Sequence, residues 1–232
     1  MRNRLKAAVL TAVGIVALLG SGLNANAQVT VGVDSGANWQ GFMNVFELPS
    51  NGGGFVFGST WATVDLTANF SGSTLTLRPN TIGDPNPFWY TPSGGPGATG
   101  NKIMDASFYI EQTGPFAGKT ITFTGNVLAN TLVSPYTSVA FIKDFASDFS
   151  SVVTTTAPLV NGVFSINLTT INDPARHVQY GFETVGPNVW ITDVAPKGFV
   201  QIAPVPEPST TAFIIGGVAF LGLMVRRQRS NA

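Results

Sequence analysis

Apolar side chains recur at every second position through much of the middle of the chain. From Trp61 to Phe70, Ala62, Val64, Leu66, Ala68 and Phe70 alternate with Thr63, Asp65, Thr67 and Asn69. Because side chains alternate across a strand, this spacing predicts one half-buried antiparallel strand. Met104, Ala106, Phe108 and Ile110 alternate in the same way with Asp105, Ser107, Tyr109 and Glu111. Phe164, Ile166 and Leu168 alternate with Ser165 and Asn167, and Leu75 and Leu77 sit between threonines. Gly41 to Leu48, Thr120 to Leu128, Ser138 to Asp144, His177 to Thr184 and Val189 to Val194 bring the expected total to about ten strands.

Ser71-Gly72, Gly114-Pro115, Asn161-Gly162, Asp173-Pro174 and Gly186-Pro187 punctuate these runs. Glycine supplies positive φ and proline fixes φ near −65°, so each pair marks a turn. Many short strands with such punctuation predict an all-β fold, an antiparallel β-sandwich of jelly-roll type in preference to a closed barrel. Asn80 to Gly100 breaks the pattern with Pro85, Pro87, Pro92, Pro96 and the aromatic run Phe88-Trp89-Tyr90. A loop of that length is expected to have a job, and its aromatic centre argues against disorder.

Both ends of the chain are apolar without alternation. Residues 1–27 begin with Arg2, Arg4 and Lys6, continue apolar from Ala7 to Leu19, and finish on Asn24-Ala25-Asn26-Ala27. A basic start, a short apolar run and small residues at Ala25 and Ala27 predict a signal helix cut by signal peptidase after Ala27. At the other end, residues 204–232 hold Val205-Pro206-Glu207-Pro208-Ser209, an apolar helix over 211–225, and Arg226, Arg227 and Arg229. A helix of that length reaches roughly 22 Å against a hydrocarbon core of about 30 Å, a short span that flanking residues and local thinning can complete. The arginines are expected to stay in the cytoplasm, leaving residues 28–203 outside as one extracytoplasmic domain.

The order of Pro206-Glu207-Pro208, short apolar helix and Arg226, Arg227 and Arg229 closely resembles the PEP-CTERM sorting domain of bacterial surface proteins. The resemblance covers only the last part of the chain. It implies recognition by an exosortase-like membrane protease, with the Pro-Glu-Pro element as recognition motif and the arginines as stop-transfer end. It also implies placement in the cell envelope or an exopolysaccharide-bearing matrix.

Charge narrows the partners of the middle domain. Residues 28–203 carry eleven acids against six bases, a formal charge of −5. An acidic domain argues against nucleic acid, whose binding rests on Lys/Arg neutralisation of phosphates. With no cysteine in the chain, disulfides, zinc-thiolate sites and thiol catalysis are excluded.

Catalytic patterns are weak. Gly114-Pro-Phe-Ala-Gly118-Lys119-Thr120 superficially matches a phosphate loop, but its glycines are one residue too close and it leads into a strand, so a hairpin turn is expected. His177 is the sole histidine, no G-x-S-x-G elbow accompanies it, and with Gln179 it is expected to face outward as a surface residue. Acid pairs for glycoside hydrolysis cannot be selected by spacing. Asp34, Asp84 and Asp193 are loose candidates for a structural calcium ion, without an EF-hand pattern, and no cofactor is expected.

Aromatics are the remaining cue, because a sugar's C–H face packs on an aromatic plane. Trp89 and Tyr90 in the long loop lead, followed by Trp39 and Trp190. Ile-Thr-Phe-Thr-Gly-Asn-Val-Leu-Ala-Asn-Thr after Thr120, with Val-Gln-Tyr-Gly-Phe and Asn-Val-Trp-Ile-Thr-Asp-Val later, are diffusely similar to strands of jelly-roll carbohydrate-binding modules. The expectation is a non-enzymatic envelope or matrix protein with a structural or adhesive role. A carbohydrate-binding module using the Trp89/Tyr90 loop on exopolysaccharide is the alternative, and a glycoside hydrolase the third.

Overall fold

The computed structural model describes residues 27–205. In chain order the strands begin with β1 (Gln28–Gly32), β2 (Gln40–Glu47), β3 (Phe55–Thr60), β4 (Ala68–Ser71), β5 (Thr74–Leu77) and β6 (Thr81–Ile82). There follow β7 (Tyr90–Thr91), β8 (Thr99–Gly100), β9 (Lys102–Thr113), β10 (Thr120–Asn130) and β11 (Thr137–Phe145). The last are β12 (Val152–Pro158), β13 (Gly162–Thr169), β14 (His177–Pro187), β15 (Val189–Trp190) and β16 (Val200–Ala203).

Two six-stranded sheets result, and they form the expected β-sandwich. In the first, β10 is flanked by β13 on one edge, while its other edge is shared by β1 alongside Thr120–Thr124 and by β16 from Asn126 onward. From β16 the sheet continues through β5 to β4. The second sheet runs β12-β11-β14-β9-β2-β3 and is antiparallel throughout. β1 with β10, and the short β15 with β6, are the parallel pairs among the described residues.

The alternation read from β9, β13 and β5 is the alternation of the core. Met104, Ala106, Phe108 and Ile110 face inward to meet Phe123, Phe164 and Ile166 from the first sheet, with Phe182 between them. Trp39 closes one end of this layer, stacked on Phe108 at 4.5 Å with the rings nearly parallel at 3°. Asp144 and Arg176 are buried at the margin, Nε to Oδ1 2.8 Å, and Asp144 also accepts from Ile171 N–H.

Three expectations fail here. Trp61 to Phe70 is not one strand: Thr63–Leu66 forms a 3₁₀ turn and only Ala68–Ser71 pairs. Thr67 has φ +53°, and its hydroxyl sits 2.7–3.1 Å from the carbonyl oxygens of Leu66, Arg78 and Pro79. Side-chain bonding to the backbone has displaced the ladder there, leaving Val64 67% exposed. Val189 to Val194 contributes only two strand residues, because Asp193 N–H turns back to Trp190 O. Gly114 to Thr120 is no hairpin. It carries the chain from β9 in the second sheet to β10 in the first, a sharp reversal that Gly114 opens at φ +91°.

The end of β16 is set by competition and by proline. Beyond Ala203 the same edge of β10 is occupied by β1, and Pro204 has no N–H to donate. The chain must leave the sheet at Pro204, where the segment expected to carry the sorting signal begins.

Candidate functional site

Outward-facing positions of the second sheet are set by register. Glu111 lies opposite Gln179, which lies opposite Lys143; Tyr109 lies opposite Gly181, which lies opposite Phe141; and Ser107 lies opposite Glu183. On the other side of β9, Phe42 faces Ser107 and Asn44 faces Asp105. This face holds a cleft of about 460 Å³. Phe42, Phe145 and Phe149 supply apolar walls, while Asn44, Glu111, Lys143 and Gln179 supply hydrogen-bonding groups.

At one end of the cleft, Glu111 is held from two sides. Gln179 Nε2 donates to Glu111 Oε2 at 2.7 Å, and His177 Nδ1 lies 2.9 Å from Glu111 Oε1. Above the imidazole sits Phe149, 4.5 Å away and tilted by only 18°. Its position comes from the β11–β12 turn, where Phe149 N–H reaches Ala146 O and Asp148 Oδ1 accepts from both the N–H and the hydroxyl of Ser150. These Ser150 bonds hold the Asp148 carboxyl below its usual pKa. The turn forces Phe149 to φ +59°, a conformation bulky residues avoid, and leaves its ring side chain 54% exposed.

The centre of the cleft is shaped by an absence. A Cβ at Gly181 would collide with the Phe108 carbonyl and the Tyr109 backbone, so glycine alone permits Tyr109 and Phe141 to flank it. Lys143 then runs over the Phe141 ring, Nζ 4.2 Å from its centroid, to reach Glu183 Oε2 at 2.7 Å. Tyr109 has its hydroxyl pKa raised by burial and by the neighbouring Glu111 charge. Asp105, at the far end, has its carboxyl pushed up to about 6, chiefly by burial and then by Glu183. Its Oδ1 is buried without a hydrogen-bond partner among the described residues.

The aromatics singled out from sequence lie elsewhere, on the inside of loops. Tyr90 is 0% exposed, its hydroxyl 2.6 Å from Ile82 O and 2.8 Å from Val189 O, and burial raises its pKa. It is the pin of the Asn80–Gly100 segment and cannot present a face to a ligand, which corrects the expectation. Trp190 packs edge-on against Tyr90 at 5.5 Å. Trp89 is half-buried between Phe57 and Phe88, its carbonyl accepting from Asn188 Nδ2. Trp39 donates from Nε1 to Asp34 O at 2.7 Å while plugging the core. The four rings therefore do not form one surface.

Nor do the calcium candidates converge. Asp34 accepts from Gly36 N–H and Asp84 from Asn86 N–H, each a local turn acceptor, while Asp193 accepts from the distant Gly97 N–H and ties the Asn80–Gly100 segment to the turn after Trp190. Among the described residues no three metal-ligating side chains gather. His177 and Gln179 do face away from the core as expected, yet neither is open surface: Gln179 lines the cleft, and His177 is covered by Phe149 and held to Glu111. What sequence reasoning missed is Phe149: a lone aromatic in an Asp-Phe-Ser turn has no periodicity to betray it.

Ala25, the two terminal helices expected from sequence, Pro206, Glu207, Pro208, Arg226, Arg227 and Arg229 lie outside the described residues. Ala27 lies at their margin, its carbonyl accepting from Thr120 N–H. Among the described residues no helix is long and apolar enough to cross a membrane. Residues 204–229 match the family model described as the PEP-CTERM protein-sorting motif. The chain ends in a PEP-CTERM sorting signal. A PEP-CTERM signal marks an exported protein that is held at the membrane transiently by its C-terminus and processed by an exosortase, itself a membrane protein. The PEP-CTERM match begins one residue after β16 ends, so address and folded body abut without overlap. No curated protein and no solved structure matches the chain.

Proposed function

We propose that this PEP-CTERM protein works at the cell envelope or in its surrounding matrix as a non-enzymatic adhesive module that holds a glycan strand in the cleft of its second sheet. The observation that carries the reading is the pairing of an exposed ring with fixed hydrogen-bonding groups beneath it. Phe149 stands at the cleft mouth over His177, Glu111 and Gln179, whose mutual bonds fix their orientation. A sugar ring needs both: an aromatic plane for its C–H face and rigid acceptors and donors for its hydroxyls. The glycan reading formed from sequence is kept, with its site moved from the Trp89/Tyr90 loop to the sheet.

The test is calorimetric titration of the exported protein with a panel of soluble oligosaccharides. Phe149→Ala is expected to weaken binding about tenfold, the scale of an aromatic contact with its buried area. Trp89→Ala is expected to leave affinity unchanged. Absence of binding across the panel, or equal affinity of the native and Phe149→Ala proteins, defeats the proposal.

A further inference from the structure

Charge is divided between the two sheets without exception. Glu47, Lys102, Asp105, Glu111, Lys143, Asp144, His177 and Glu183 all belong to strands of the second sheet. Not one Asp, Glu, Lys, Arg or His occurs in β1, β4, β5, β10, β13 or β16. Inward positions of those strands, such as Leu75, Ile121, Phe123 and Ile202, build the core. Over Gln28–Gly32, Thr120–Thr124 and Ser165–Thr169 the outward positions are hydroxyls and amides set in register, with exposed Val163 and Leu128 lying beyond them. Gln28, Thr120 and Thr169 form one row, Thr30, Thr122 and Asn167 the next, and Thr124 and Ser165 a third.

These side chains are also tied to one another. Thr120 Oγ1 and Thr169 Oγ1 are 2.9 Å apart, and Gln28 Nε2 donates to Thr122 Oγ1 at 3.1 Å. Same-face positions repeat about every 6.7 Å along a strand and about 4.8 Å between strands, so the face is a lattice of hydroxyls and methyls held in place before any ligand arrives. Thr30, Ser165, Asn167 and Thr169 are exposed.

We infer that this face is a second binding surface, for a packed neutral polysaccharide. A charged polymer would find no counter-charge here, and burying its charges unpaired costs far more than burying hydroxyls that regain hydrogen bonds. A neutral glycan matches this lattice, with alternating C–H and O–H groups to meet its methyls and hydroxyls and no formal charge. Together with the cleft on the opposite sheet, a feature that rests on the function proposed above, the molecule becomes a bridge between glycan strands. Two weak contacts on opposite faces then add through effective concentration.

Co-sedimentation with microcrystalline cellulose tests this, using the exported protein and its Phe149→Ala form so that the cleft is silenced independently. Binding is expected to survive Phe149→Ala and to persist in molar salt, since no ion pair contributes. Thr30→Lys and Asn167→Lys are expected to weaken it at least tenfold with unchanged melting temperature, whereas Thr30→Ser and Asn167→Ser keep it. Three results overturn the inference: no sedimentation of either form, binding abolished by Phe149→Ala but untouched by the lysine variants, or a solution dimer broken by those variants with no cellulose bound.

Discussion

Asp105 sits where a carboxylate is poorly served. Burial and the neighbouring Glu183 push its carboxyl up to about 6, and Oδ1 has no partner among the described residues. A folded-state pKa above the unfolded value near 3.8 means that the native chain holds the proton through a range in which the unfolded chain has lost it. Stability from this group is therefore greatest below about pH 4, falls as pH rises to about 6, and is level above. At 1.36 kcal/mol per pKa unit the loss is roughly 2–3 kcal/mol. Asp105→Asn is expected to flatten the slope of stability between pH 4 and pH 6, raising the urea midpoint at neutral pH and leaving it nearly unchanged at low pH. Parallel urea titrations across that pH range read this directly. An unchanged slope removes Asp105 as its source.

The β11–β12 turn shows what an element spends on placing one ring. At φ +59° a side chain crowds its own backbone, a cost of about 1 kcal/mol that glycine escapes. Phe149→Ala loses the ring and keeps the strain, whereas Phe149→Gly loses the ring and sheds it. The glycine variant is accordingly expected to be about 1 kcal/mol more stable than the alanine variant by thermal denaturation, while both lose glycan affinity equally. Elements also differ in how far sequence reveals them. β9 and β14 are legible because each buried position is repeated by the next but one, and the same alternation places Glu111, Tyr109, His177 and Gln179 on the outer face. Trp61–Phe70 shares that period and yet turns at Thr67, where a hydroxyl finds nearby carbonyls. Tyr90 misleads for a related reason: an aromatic in a proline-rich loop reads as displayed until its hydroxyl is seen capping Ile82 and Val189. Composition locates rings and charges, but the cleft needs strands distant in sequence to be laid side by side, which local pattern does not encode.

For the molecule as a whole, the decisive boundary lies between Ala203, where β16 ends, and the sorting signal that begins at Pro204. Every strand of both sheets lies within Gln28–Ala203, and the edge of β10 that β16 might extend along is taken by β1. Removing the segment beyond the Pro-Glu-Pro element therefore withdraws no strand from either sheet. Exosortase processing is therefore expected to release the body from the membrane without loosening the cleft or the neutral face. Intact mass of the protein recovered from its native host is expected to lack Arg226, Arg227 and Arg229, and to begin at Gln28 if the signal helix is cut after Ala27. The melting temperature of this processed form should match that of the full chain held in detergent. A mature mass that retains Arg229 would leave the tail as a permanent anchor. A processed form that melts well below the full chain would show that the tail contributes to the fold, so that release and stability could not be separated.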